Sequence, residues 1–174
     1  MNLFKFFILV SIAMSTISCE FYTSGVPISK SNHSQIDSNV LGAWANFNEE
    51  GKLEMAIKVS ALDEHNYIFS AVDFTKDGER LNQLDNHVAH STTINGQDYI
   101  NIRPLDKKGR VLYYFFKYEI KGDTLFGYTI NREQFKDKFS SSKKFKKYIK
   151  KNSKEFDKKF ELIYRLVKIN PSFK

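Results

Sequence analysis

The 174-residue sequence has little cysteine, proline and tryptophan, and its shortages limit what the protein can be. Cys19 is the single cysteine, so no disulfide can form within the chain and stability must come from ordinary core packing. Beyond Ser18, no apolar run approaches the roughly 20 residues that a membrane-spanning helix requires. Solenoid-type repeats are also missing. What remains is one domain's length of chain, enough to bury a sizeable core.

Catalytic and metal-binding motifs are missing as well. The sequence contains no Gly-x-Ser-x-Gly, no His-Glu-x-x-His and no glycine-rich phosphate loop. His87 and His90 are three residues apart in a predicted strand, so their side chains should point to opposite faces and cannot bind one metal ion. We therefore expect no enzymatic activity, no cofactor and no metal site.

The first 19 residues form a short leader that ends in the lone cysteine. Lys5 supplies a positive charge, residues 6–14 are apolar, and small or aliphatic residues lead to Cys19. This order resembles the lipobox of bacterial lipoproteins, although Thr16 stands where that family usually has leucine. The resemblance implies that residues 1–18 are a removed signal peptide and that Cys19 carries acyl chains such as palmitate. An ordinary secretory signal with an incidental cysteine is the alternative.

The lipoprotein resemblance also implies where the protein is located. Together with the charge distribution, this location limits the classes of partner that we expect. The mature protein would be anchored through its lipid in the bacterial cell envelope, with the outer membrane as the expected site. Residues 19–104 hold 6 Lys or Arg against 12 Asp or Glu, whereas residues 105–174 hold 20 against 8. A basic half usually suggests nucleic acid, but an exported protein rarely meets it. Anionic lipid, surface polysaccharide or an acidic envelope protein are the expected partners.

Polarity divides the mature chain into two parts. Residues 19–38 are polar and serine-rich without sustained periodicity, which predicts a flexible tether after the lipidated cysteine. Such a tether would place the domain on the order of 25 Å from its anchor. Residues 39–174 form the predicted domain.

Within the domain, short apolar runs alternate with turn residues, which predicts successive antiparallel strands. Asn95-Gly96 is the strongest hairpin signal. Ser140 to Ser142 offer an N-cap for a lysine-rich amphipathic helix over residues 141–152, before the last strand. We predict a mainly β protein, an up-and-down antiparallel barrel of about eight strands, because an open sheet would leave two exposed edges. The predicted strands cover residues 40–47, 53–60, 67–74, 87–94, 97–104, 110–120, 124–130 and 160–169.

Gly42-Ala43-Trp44 at the start of the first strand resembles the Gly-x-Trp motif of the lipocalins. In that family the tryptophan closes the narrow end of an eight-stranded barrel, and an arginine from near the chain's end lies across its indole. The resemblance implies that Trp44 and Arg165 form this structural plug. The lipocalin disulfides are absent here, and the lipocalin helix follows the eighth strand instead of preceding it. The chain as a whole resembles lipocalin-like lipoproteins of Gram-negative bacteria.

The lipocalin resemblance implies a non-enzymatic barrel that binds a small apolar ligand. Sixteen Phe and nine Tyr are enough either to line such a cavity or to fill the barrel completely, and both interpretations stay open. A filled barrel would instead act as a protein-interaction or inhibitor module through its surface or its basic helix. The residues expected to line a cavity are Tyr114, Phe116, Tyr118, Phe126 and Tyr128.

The predicted helix carries lysines in every direction except along its apolar stripe. They form either a solvated outer face or a contact for anionic headgroups, which is worth about 1 kcal/mol per basic residue near a membrane surface. The lysines concerned are Lys143, Lys144, Lys146, Lys147, Lys150 and Lys151.

Overall fold

The computed structural model describes residues 21–75, 80–83, 86–105 and 111–170. The predicted signal peptide and Cys19 lie outside the described residues. In the part of the chain that is described, no helix is long and apolar enough to cross a membrane.

Antiparallel strands form one closed sheet, to which two short strands and an α-helix are added. Strand β10 pairs with β2 on one side and with β9 on the other, and this pairing closes an eight-stranded barrel in the order β2-β3-β4-β6-β7-β8-β9-β10. The predicted barrel is therefore confirmed, with its helix before the last strand. The strands are β1 (Thr23–Ser24), β2 (Gly42–Phe47), β3 (Leu53–Ala61), β4 (Tyr67–Phe74), β5 (Arg80–Gln83), β6 (His87–Ile94), β7 (Gln97–Pro104), β8 (Tyr113–Lys121), β9 (Thr124–Ile130) and β10 (Phe160–Ile169).

Two-residue turns connect β6 to β7 and β8 to β9 and fix the register of these two hairpins. Asn95 and Gly96 both have positive φ, 52° and 77°, as a two-residue turn matching the twist of its hairpin requires. Gly122 and Asp123 form a second two-residue turn, since Lys121 pairs with Thr124. Each barrel strand thus runs antiparallel to its neighbours, and its side chains alternate between the inside and the outside of the barrel.

Helix α1 (Ser142–Asp157) packs on the outside of the barrel. The Ser141 side chain accepts a hydrogen bond from the backbone N–H of Lys144, as an N-cap does, and the helix runs past the predicted end at residue 152. Its apolar stripe of Phe145, Ile149 and Phe156 is buried.

The apolar stripe of α1 belongs to an aromatic cluster between the helix and the outer barrel wall, here called the outer cluster. Phe115 of β8 is its centre, with ring centroids of Tyr22 and Phe145 at 5.3 Å and of Phe156 at 6.1 Å. The cluster includes Tyr22, Ile28, Ile94, Tyr99, Phe115, Ile130, Phe135, Phe145, Ile149 and Phe156, surrounded by Val26, Phe139, Tyr148 and Phe160.

The segment before β2 packs on the same outer wall, so the prediction of a flexible tether is wrong for residues 21–38. Tyr22 and Ile28 are buried in the outer cluster. The Ile28 N–H donates to Asn101 Oδ1 at 2.7 Å, and the Ser34 hydroxyl donates to the Ser91 carbonyl at 2.6 Å. Buried apolar side chains and hydrogen bonds to β6 and β7 therefore hold a segment that looks disordered by composition.

Candidate functional site

The inside of the barrel contains an apolar cavity of about 380 Å³. Residues from seven barrel strands and from the N-terminal segment line it, because alternate side chains of each strand point inward. The lining is formed by Phe21, Val40, Met55, Ile57, Phe69, Ala71, His87, Ile100, Ile102, Tyr114, Phe116, Tyr118, Leu125, Gly127, Tyr164 and Leu166.

Three of the five predicted lining residues face the cavity, namely Tyr114, Phe116 and Tyr118 of β8. The prediction is wrong for Phe126 and Tyr128. Tyr118 pairs with Gly127, so β9 turns its odd-numbered residues inward whereas β8 turns its even-numbered ones inward. Phe126 and Tyr128 therefore lie on the outer wall, under the ammonium groups of Lys121 and Lys117 at 5.5 and 5.1 Å from the ring centroids.

Gly127 makes room for one wall of the cavity. It pairs with Tyr164 of β10, and a Cβ at position 127 would lie 3.3 Å from the Tyr164 Cβ and 3.4 Å from its ring. A larger residue at position 127 would require Tyr164 to move by a few tenths of an ångström. Burial, with a smaller contribution from Asp73, raises the pKa of the Tyr164 hydroxyl.

Trp44 is buried at the closed end of the barrel, where β2 begins and β10 ends. Its Nε1–H donates to the Val40 carbonyl at 2.8 Å, and the Lys168 ammonium lies 5.3 Å from the ring centroid. The cation over the indole of Trp44 is therefore Lys168, and the predicted pairing of Trp44 with Arg165 is wrong. Lys168 pairs directly with Trp44, whereas Arg165 pairs with Phe126 and is exposed on the outer face.

A polar layer covers the closed end outside Trp44. Asp37 connects two inward-facing tyrosines: its N–H donates to the Tyr67 hydroxyl at 2.6 Å, and its Oδ2 accepts from the Tyr118 hydroxyl at 3.3 Å. Burial and the Asp37 carboxylate raise the pKa of Tyr118, so this hydroxyl stays a hydrogen-bond donor at physiological pH. The layer holds residues 36–41 across this end of the barrel and closes it.

The opposite end of the barrel is where β2, β4, β7 and β9 finish. It is called the open end below, because residues 36–41 cover the other end and not this one. Phe21 contributes to the cavity there, with its ring centroid 6.1 Å from that of Phe116. His87 at the start of β6 is half-buried and lines the cavity at this end. Apart from His87, the lining contains no residue with an ionisable nitrogen or carboxyl group. The arrangement favours an apolar molecule over a charged one.

His87 and His90 lie on opposite faces of β6, as their spacing predicts. His90 is buried on the outer face, where its Nε2 lies 2.7 Å from the Ser29 carbonyl. Burial lowers the pKa of His90, although the hydrogen bond to Ser29 opposes this. No group of three or more His, Cys, Asp or Glu side chains that could hold a metal ion occurs among the described residues.

The lysines of α1 lie on the side of the barrel and toward its closed end. The Lys150 carbonyl accepts a hydrogen bond of 3.3 Å from Asn95 Nδ2 in the β6–β7 turn. Lys143, Lys144, Lys147, Lys150 and Lys151 are exposed, and Lys146 is half-buried. Both a solvated face and an anionic contact are compatible with this placement.

Comparison of the chain with family models, with curated proteins and with solved structures returned no significant match. The functional argument therefore depends on the barrel and its cavity.

Proposed function

We propose that this protein is a lipid-anchored lipoprotein of the bacterial envelope whose barrel binds one small apolar molecule without chemical change. The observation that supports ligand binding most directly is the cavity of about 380 Å³ inside the barrel. Pockets for small molecules are typically about 300–1,000 Å³, mostly apolar and few per protein. A barrel that acted only through its outer surface would gain nothing from leaving this volume unfilled, because unfilled core volume costs stability.

The polar groups of the cavity suggest how a ligand would lie. Tyr118 and the Asp37 layer close one end, and the His87 imidazole lies near the other. A molecule with an extended apolar body and a polar group near the open end would satisfy both parts of the lining. Lipids with one acyl chain and hydrophobic metabolites of similar size belong to this class.

Native mass spectrometry on the Cys19→Ser protein, without its leader and purified gently from the periplasm of expressing cells, is the first test. A co-purified apolar mass that is lost on unfolding would support the proposal and identify the ligand class. A dansyl-labelled undecanoic acid then serves as a defined probe, and we expect one saturable site.

Two adjacent residues of β4 provide the matched variants. Ala71 lines the cavity, so Ala71→Phe should fill part of it and weaken probe binding about tenfold, since small changes of pocket volume alter affinity by about 10- to 200-fold. Val72 points away from the cavity, so Val72→Phe should leave the affinity unchanged. Saturable binding that both variants retain equally would contradict a site inside the barrel.

A further inference from the structure

The N-terminal segment is built into the barrel wall at the open end. Strands β8 and β9 pair only from Lys117 to Lys121, and toward the open end they separate. The chain from Phe21 to Ser24 fills the gap: Thr23 and Ser24 pair with β8, while Phe21 bridges to Asn131 just after β9. The N-terminal segment thus forms the seam of the barrel at the open end.

This seam limits how far from the barrel a group attached to residue 19 can lie. Cys19 precedes Phe21 by two residues, so their Cα atoms can be at most about 7 Å apart. Tyr22 holds this part of the segment in place, because its side chain is buried in the outer cluster. Its N–H donates to the Ile130 carbonyl at 3.0 Å, and its hydroxyl donates to the Asp137 carbonyl at 2.5 Å. A lipid on Cys19 would therefore attach the protein to its membrane beside the open end.

Three of the five large apolar side chains that stay exposed among the described residues lie at the open end. Phe47 ends β2, Leu105 follows β7 and Leu162 lies near the start of β10, and they are 42%, 37% and 53% exposed. The other two, Leu62 and Val167, lie toward the closed end. Apolar side chains at a membrane surface gain free energy by entering the boundary between headgroups and acyl chains. The closed end instead presents the polar segment around Ser34, Gln35 and Asp37.

From these positions we infer that the open end of the barrel faces the bilayer, so that an apolar ligand passes between the membrane and the cavity without crossing bulk water. The inference rests on the proposed function, because it requires a lipid on Cys19 and an apolar ligand. The occupant of the open end is the surface of a lipid bilayer. The lysine side of α1 would then lie beside the barrel and not beneath it.

The test places a tryptophan at one of two exposed leucines in the lipidated protein. Leu162 lies at the open end, and Leu62, which is 50% exposed, follows β3 at the closed end. Leu162→Trp and Leu62→Trp are reconstituted in phosphatidylethanolamine–phosphatidylglycerol vesicles that contain brominated lipids, which quench nearby indoles. Trp44 is buried at the closed end and supplies a constant background. Where mass spectrometry finds no acyl chains on Cys19, a maleimide phospholipid is coupled to its thiol.

We expect brominated lipids to quench the added tryptophan of Leu162→Trp and not that of Leu62→Trp. Equal quenching of both, or quenching of Leu62→Trp alone, would overturn the orientation.

A second measurement tests direct transfer and separates the two proposals. Insertion of a 12-residue Gly-Ser linker between Cys19 and Phe21 should slow transfer of the dansyl probe from vesicles several-fold, because it lowers the effective concentration of the open end at the bilayer. An unchanged transfer rate would overturn direct exchange. If the Cys19→Ser protein binds no probe at all, the ligand proposal fails, while the tryptophan quenching still decides the orientation.

Discussion

The two faces of the barrel wall are packed in different ways, although they share the same strands. The outer cluster is densely packed with aromatic rings. The ring centroids of Phe115, Phe156 and Phe160 lie within 6.2 Å of one another. The ring of Phe139 stacks on that of Phe145 with 4.2 Å between their centroids. The inner face also carries large side chains, yet it encloses a cavity of 380 Å³. Neighbouring residues of one strand, Phe115 and Phe116, thus belong to a solid core and to a hollow one.

The aromatic side chains of the chain are divided between the two faces of the barrel wall. Many of the rings that could have filled the barrel stabilise its outside instead, where the N-terminal segment and α1 cover them. Because the outer cluster stabilises the barrel, its inside can remain incompletely filled. The packing that stabilises the sheet therefore lies on its outer face, and the cavity lies on its inner face.

The largest expected effect is a difference in stability between two single variants of β8, Phe115→Ala and Phe116→Ala. Phe115 is 2% exposed and surrounded by rings, so Phe115→Ala should lower the free energy of unfolding by about 3–5 kcal/mol. Phe116 is half-buried beside the cavity, so Phe116→Ala should cost only about 1–2 kcal/mol. Urea denaturation measures both values.

Probe binding should reverse that order. Phe116→Ala should change the affinity for the dansyl probe, and Phe115→Ala, measured below its unfolding transition, should not. Equal losses of stability in the two variants would contradict the contrast between a solid outer and a hollow inner face.

Acidification should lower the stability of the protein through His90 on the outer face of the barrel. The pKa of this buried imidazole is lower in the folded protein than the ordinary 6.5, so the unfolded chain binds more protons as the pH falls below about 6.5. The stability that the neutral His90 contributes is fully present above that pH, and it is lost as the pH decreases. His90→Gln, which can still donate to the Ser29 carbonyl, should reduce the loss, as measured by thermal unfolding between pH 7.5 and 5.

The control for this pH dependence is His87→Gln on the inner face. We expect it to retain the acid-dependent loss of stability, since His90 remains in place. An identical pH profile for His90→Gln and the unmodified protein would show that another group is responsible.

The smallest expected effect concerns the plug at the closed end. Lys168→Gln removes the cation over Trp44 and should lower the free energy of unfolding by about 0.5–1 kcal/mol, the usual value at an exposed cation–π pair. It should also shift the emission of the only tryptophan in the chain. Arg165→Gln on the outer face is the matched control, and it should alter neither quantity; a larger effect of Arg165→Gln would restore the sequence-based assignment.

The strands and their order could be predicted from local patterns. Segments 67–74, 87–94, 97–104, 124–130 and 160–169 coincide with β4, β6, β7, β9 and β10. Alternation of apolar residues, and turn residues such as Asn95-Gly96, contain this information within a few positions of the chain. Closure followed from the cost of exposed edges. These are short-range or general properties, and a single sequence is enough to read them.

The errors arise where the outcome depends on pairing between distant residues. Whether Phe126 faces inward depends on the two-residue turn before β9, which reverses the parity of the inward positions. The register between β10 and β2, two strands far apart in sequence, likewise places Lys168, and not Arg165, opposite Trp44. The N-terminal segment has no periodicity because its partners, such as Asn101, lie some 70 residues later and hold it through hydrogen bonds.

The pairing of β2 with β10 also constrains how the chain folds. Residues 43–45 pair with residues 167–169, so the first barrel strand has its second neighbour only after almost the whole chain is present. Contacts between residues so far apart in sequence lengthen the search for the native state, and β proteins of this kind typically fold in milliseconds to seconds. Until β10 arrives, β2 is an unprotected edge that can pair with other chains. Folding of this barrel must therefore follow delivery of its last strand, and an exported chain would have to be kept from aggregating until then.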